Sequence, residues 1–181
     1  MQKEEMKVEL TINGQKVKIG HQFLEDMVND IPDVKENKKV FTILASSDNY
    51  RIKEYISQKS FLSTETINTL LNDKSDEIVD NILSNRDINK HITNEQIFSI
   101  IEKDNTKLLS TIAKNLDELQ SCDRCKIINH LSKHKSSSVR FSLFTYNVSD
   151  LISTDIIKEL CDDEDFDVAN EAKKELSQRM K

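Results

Sequence analysis

Residues 131–176 read LSKHKSSSVRFSLFTYNVSDLISTDIIKELCDDEDFDVANEAKKEL, and the fold is decided by how this stretch is parsed. A leucine precedes a short polar loop, and a Val-led amphipathic segment follows from Val139 to Phe144. Ser153-Thr154-Asp155 then opens a second amphipathic segment ending at Leu160, after which the cycle starts again. Apolar residues at helical spacing behind Ser/Thr/Asp are the mark of short capped helices arranged in pairs.

Working outward, the cycle extends toward the N-terminus. Ile67, Ile97, Ile127 and Ile157 recur at a fixed spacing of 30 residues, each following a helix-start candidate: Ser63 or Thr64, Thr93 or Asn94, Ser121, and Ser153 or Thr154. Acids stand beside several of these starts (Glu65, Glu95, Asp123, Asp155), where exposed N–H groups and the helix dipole favour them. The second helices carry Ile78, Leu108, Val139 and Val168 in matching places. A degraded first unit lies 27 residues before the second, with Val40 matching Ile67, Leu44 matching Leu71, Ile52 matching Val79 and Ile56 matching Leu83. Five helix pairs result, at about 37–60, 63–89, 93–119, 121–151 and 153–178. A period of this size, with two amphipathic helices per unit, predicts a mainly all-α solenoid in which neighbours supply the core no unit can build alone.

Ahead of the pairs, KVELTI and QKVKIG flank Asn13-Gly14, the strongest short hairpin signal, because both turn residues need positive φ. The turn pairs Ile12 with Gln15, Leu10 with Val17 and Val8 with Ile19. A helix follows, with Phe23, Leu24, Met27, Val28 and Ile31 at helical spacing and Pro32 as its stop. Residues 1–35 are therefore expected to be a cap on the first pair, and residues 36–181 the repeat domain; the competing reading is a sheet edge that recruits a strand.

Composition supports helices. Two glycines and one proline in 181 residues are too few for a turn-rich sheet protein. A formal net charge of −6 argues against a general nucleic-acid binder. No apolar run reaches membrane-spanning length, MQKEEMKVEL lacks the layout of a secretory signal, and three cysteines make no disulfide framework, so a reducing cytoplasm is expected.

Residues 37–178 resemble a HEAT-type helical repeat, and LSKHKSSSVRFSLFTYN with STDIIKELCDDEDFDVA is similar to the leucine-rich repeat variant pattern, in which Leu, a polar or acidic loop and a Val-Arg helix recur. Only Val139-Arg140 carries the Val-Arg pair, and the prolines usual in such repeats are missing. The resemblance implies a curved solenoid whose second helices line one surface and bind another macromolecule.

Catalytic and cofactor chemistry finds little purchase. Cys122, Cys125, His130 and His134 give C-x2-C-x4-H-x3-H, but on one helix Cys122 and His130 would stand about 12 Å apart along the axis, so neither zinc nor a redox dithiol is expected. The acidic run at Asp162, Asp163, Glu164, Asp165 and Asp167 lacks the glycine and distal glutamate of a calcium loop and suits a helix start. Glycines at 14 and 20 alone exclude phosphate-cradling loops. Asn85, Asn115 and Asn147 are read as helix C-caps, tolerant of the left-handed conformation. No catalytic residue, metal or cofactor is therefore assigned.

What remains is a surface. The non-core side of the second helices reads Glu77, Lys107, Ser138 and Asp167 in one row and Asp80, Ser110, Phe141 and Asn170 in the next. Phe141 beside Arg140 and near Tyr146 makes an aromatic–arginine cluster of the kind enriched in binding hot spots. Arg140, Phe141, Tyr146, Lys107 and Asp80 are the candidate partner-binding residues. The expected function is non-enzymatic protein–protein interaction. The alternative is a HEAT-like DNA-binding protein or alkylation-repair DNA glycosylase, for which Lys126, Lys133, Lys135 and Arg140 would be the basic patch.

Overall fold

The computed structural model describes residues 10–18, 20–119, 123–145 and 148–181. Among them the protein is mainly α-helical, with one two-stranded antiparallel sheet. Strands β1 (Leu10–Ile12) and β2 (Gln15–Val17) pair Leu10 with Val17 and Ile12 with Gln15, around a turn in which Asn13 and Gly14 both have positive φ. This is the register the Asn-Gly turn dictates; the expected Val8–Ile19 pair lies outside the described residues. Helix α1 (His21–Asn29) follows.

All five helix pairs are present. They are α2 (Lys38–Ala45) with α3 (Tyr50–Ser57), α4 (Thr64–Leu71) with α5 (Asp76–Ser84), and α7 (Asn94–Ile101) with α8 (Thr106–Lys114). The last two are α9 (Arg124–Ser132) with α10 (Ser137–Ser142), and α11 (Thr154–Leu160) with α12 (Phe166–Arg179). A single extra turn, α6 (Arg86–Asn89), follows α5, buries Ile88 and was not expected from the sequence. None of the described helices is long and apolar enough to cross a membrane.

The 30-residue spacing has a local cause. Ile67, Ile97, Ile127 and Ile157 are each buried and each stand four residues after an N-cap: Ser63, Thr93, Asp123 and Ser153. Each donates its backbone N–H to that cap's carbonyl, at 2.9–3.1 Å. The cap side chain turns the chain and the isoleucine four residues on drops into the core. The fourth cap is Asp123, not Ser121. In the second helices Ile52, Ile78, Leu108, Val139 and Val168 are all buried three residues after Asn49, Ser75, Asn105, Ser136 and Asp165.

That frame corrects the first pair by one residue. Ile52 matches Ile78 rather than Val79, and in α2 the core residues are Phe41, Leu44 and Ala45 while Val40 is 40% exposed. Helix α2 must pack against both α3 and α4, and only the face bearing Phe41 meets both demands.

Contacts divide the chain into two units, the first ending at Asp87 and the second running from Ile88 to Lys181. In the first, α2 packs on α4 and α3 on α5, first helix on first and second on second. The polar edges are stitched too: Lys53 Nζ meets Asp73 at 2.5 Å, Tyr50 Oη donates to Glu77 at 2.5 Å, and Asn81 Nδ2 donates to Ser57 Oγ at 2.9 Å. Helix α1 packs on α3 through Val28. Among the described residues the hairpin's contacts are mainly its own, and Ile12 and Val17 are exposed. In the second unit α8, α10 and α12 pack in succession, α9 lies against α11, and each first helix leans on its own second helix.

The asparagine caps work differently from expectation. Asn85 and Asn115 are the C-caps of α5 and α8, but both have negative φ. The Asn115 carboxamide caps its own helix, donating to the Thr111 carbonyl at 3.0 Å, whereas that of Asn85 ties the end of α5 to the segment after α3, donating to the Lys59 carbonyl at 3.1 Å. Asn147 lies outside the described residues.

Candidate functional site

The second unit presents a groove of about 420 Å³ on its second helices, lined by Ser110 and Lys114 of α8, Ser137, Ser138, Phe141 and Ser142 of α10, and Asp165 and Asp167 around the start of α12. Its floor follows from the core. Burying Leu108, Leu109 and Ile112, then Val139 and Leu143, then Val168 and Ala172, turns the opposite positions of those helices toward solvent. Residues 138 and 141 fall one helical turn apart on that outer side. Phe141 is 45% exposed there, with Phe144 half-buried beyond it.

The two ends of the groove differ in charge. The Asp165 carboxylate accepts from the Val168 and Asp167 N–H groups at 3.2 and 3.1 Å, and with the Ser137 hydroxyl these bonds hold it below the usual carboxylate range. The Asp167 carboxylate and the Lys114 ammonium have no side-chain partner among the described residues. Ser142 Oγ donates to the Ser138 carbonyl at 2.7 Å, so its lone pairs remain acceptors.

Arg140 is not on this surface. Its side chain is 7% exposed, with Nε and Nη2 donating to the two oxygens of Asp163 at 2.7 Å each, a two-pronged grip on a side chain itself 6% exposed. Nη1 donates to the His134 carbonyl at 2.7 Å and the Lys135 carbonyl at 3.2 Å. Burial pushes the Asp163 carboxyl up, but the guanidinium and the Asp165 N–H more than offset this, and it titrates below its ordinary value. The expected hot-spot arginine is thus a positioning residue: it holds the loop that leads into α12, at whose start Asp165 and Asp167 stand.

The other sequence candidates scatter. Lys107 is exposed on α8 but outside the groove lining, Asp80 belongs to the first unit, and Tyr146 lies outside the described residues. Ser110, Ser138, Phe141 and Asp167, placed in the two surface rows, do come together. Lys114 and Asp165 were missed, although Lys114 sits one turn beyond Ser110 and was legible on that ground.

A second concavity, about 520 Å³, lies between Phe98 of α7 and Lys126, Asn129, His130 and Lys133 on and just after α9. Its cations are largely committed. Lys126 pairs with Asp123 at 2.8 Å, and Lys135 pairs with Asp104. The buried His134 ring has Nε2 2.8 Å from Asp104 while Nδ1 accepts the Ser136 N–H at 3.0 Å. His130 and Cys125 are exposed, Cys122 lies outside the described residues, and no three His, Cys, Asp or Glu side chains converge as a metal set among the described ones.

Compared with known protein families, characterised proteins and solved structures, the chain finds no match.

Proposed function

We propose that this chain is a non-enzymatic protein-interaction module of the HEAT-like repeat kind, working in the cytoplasm, with the α8–α10–α12 groove as its docking site. The observation that carries the reading is Phe141: a large aromatic on the solvent side of a short helix, open to solvent at 45% and set between a lysine and an aspartate that no described side chain neutralises. Isolated exposed apolar residues are common. One framed by unspent charge in a concavity is what an anchor pocket offers a partner.

A nucleic-acid reading would rest on the concavity beside α9, since that is where Lys126, Lys133 and Lys135 gather. Two of those three already meet carboxylates, so little charge remains to displace counterions from a phosphate backbone. The interaction reading is therefore preferred. Affinity capture from native cells, with the unaltered chain and Phe141→Asp side by side, tests it. A partner held by the first and lost by the second is expected; an unchanged set of captured proteins removes the groove as the docking site.

A further inference from the structure

We propose that the α8–α10–α12 groove takes an extended peptide segment in which an apolar side chain is flanked by an acidic residue at the Lys114 end and a basic residue at the Asp167 end. This deepens the docking-site reading and rests on it. The span and the polar floor of the groove set the occupant's form. Three successive helices packed 8–10 Å apart span about 16–20 Å, the length of roughly five or six extended residues. A helix satisfies its own backbone groups, whereas an extended chain leaves them to be satisfied by the floor. Ser110, whose hydroxyl has no partner among the described residues, can both donate and accept, and Ser142 Oγ, already donating to its own helix, accepts a peptide N–H.

Charge sets the sequence of that segment. Around the start of α12 the chain carries Asp162, Asp163, Glu164, Asp165 and Asp167. Arg140 is engaged by Asp163, so most of this negative charge is uncompensated at the groove's α12 end. Asp167 is the carboxylate there with no described partner, and it faces a cation best. At the α8 end the Lys114 ammonium, without a side-chain partner among the described residues, calls for a carboxylate. Between them Phe141 offers an aromatic face to an aliphatic or aromatic side chain.

The test is selection of random heptapeptides against the full chain, followed by binding of a fluorescein-labelled peptide made from the selected consensus. Three variants are compared, Phe141→Asp, Asp167→Lys and Lys114→Glu, all at exposed positions and all checked by circular dichroism. The expected consensus has an apolar residue with an acid on one side and a base on the other. Phe141→Asp abolishes binding; Asp167→Lys weakens it about two- to fivefold, the scale of one exposed charge pair, and replacing the peptide's base by an acid restores it. Lys114→Glu does the same at the other end. Peptides that need Phe141 but show no such charge pattern, or ignore the two charge reversals, overturn this proposal and leave the docking site standing. Selection that yields nothing dependent on Phe141 overturns both.

Discussion

Separating Arg140 from Asp163 is the perturbation that most sharply tests how the second unit is held together. Both side chains are under a tenth exposed and share two 2.7 Å hydrogen bonds, so Asp163→Leu leaves a buried guanidinium without its counter-charge. Breaking such a pair from one side costs about 3–5 kcal/mol. Glu164, 3.6 Å from Nη2 and 86% exposed, can swing in and pull the value toward the lower end. For a chain of this length that corresponds to roughly 6–20 °C in Tm. Arg140→Met removes the same pair from the other side and also frees the His134 and Lys135 carbonyls. The double variant strands neither charge, so its cost falls short of the two single costs combined by about 2–3 kcal/mol. Urea unfolding followed by far-UV circular dichroism measures all four corners of the cycle. Single variants that each cost under about 1 kcal/mol, within the range of exposed pairs, with no coupling between them, would refute the reasoning and return Arg140 to the surface.

Three further outcomes follow from the same geometry. Asp73 and Asp163 are both held below the ordinary carboxylate value, since burial raises them but Lys53 with the Ser75 N–H, and Arg140 with the Asp165 N–H, win. Their folded-state pKa values are lower than the unfolded ones, so their stabilisation is complete above about pH 5, begins to fade near the unfolded value and is lost as pH falls through the depressed folded values; the urea midpoint should drop between pH 5 and pH 3, and less steeply in Asp73→Asn/Asp163→Asn. Phe41→Ala should cost about 3–5 kcal/mol and Val40→Ala within about 0.5 kcal/mol, the reverse order restoring the 27-residue register. Tyr50 donates to Glu77, whose acceptance of that bond raises its phenol to about 12, so ultraviolet titration should find one tyrosine ionising there and Glu77→Ala should bring it down toward 10.

The helix pairs were legible because their signals are local. An N-cap and a buried apolar residue three or four positions later are read from a single short window, which is why Ser63, Thr93 and Ser153 could be picked out. In KKVFTILA the same reading is ambiguous, as Val40 with Leu44 and Phe41 with Leu44 and Ala45 both make a helical stripe; only packing against two other helices selects the second. Arg140 was misplaced for a related reason. Its partner stands 23 residues downstream within an acidic run, and nothing nearby singles out Asp163 from its neighbours. Lys53 and Asp73 show that a rule does exist. In both cases a cation four residues after one N-cap (Asn49, Ser136) meets an acid two residues before the next (Ser75, Asp165). A groove lined by charges that lack partners was partly visible as surface rows; which of those charges are spent internally was not.

The residue two before the N-cap has a second duty in these loops, and the one loop that breaks the rule explains a strained backbone. Ser47, Asp73, His134 and Asp163 each accept the N–H of the cap residue that follows, at 2.8–3.1 Å. In the third pair this place is Lys103, which offers no acceptor, and the next residue, Asp104, takes φ of 51° instead. Left-handed backbone disfavours most side chains but is tolerated by Asp and Asn. Asp104 also carries the link to the next pair, its oxygens meeting His134 Nε2 and Lys135 Nζ. With Nδ1 accepting from Ser136, the ring's proton sits on Nε2 and is donated to Asp104, a bond an asparagine oxygen can receive as well. Asp104→Asn should therefore lie closer in urea midpoint to the unaltered chain than Asp104→Ala, which loses both the backbone tolerance and the acceptor. An alanine variant as stable as the asparagine one would mean that neither the turn nor the histidine contact holds this joint.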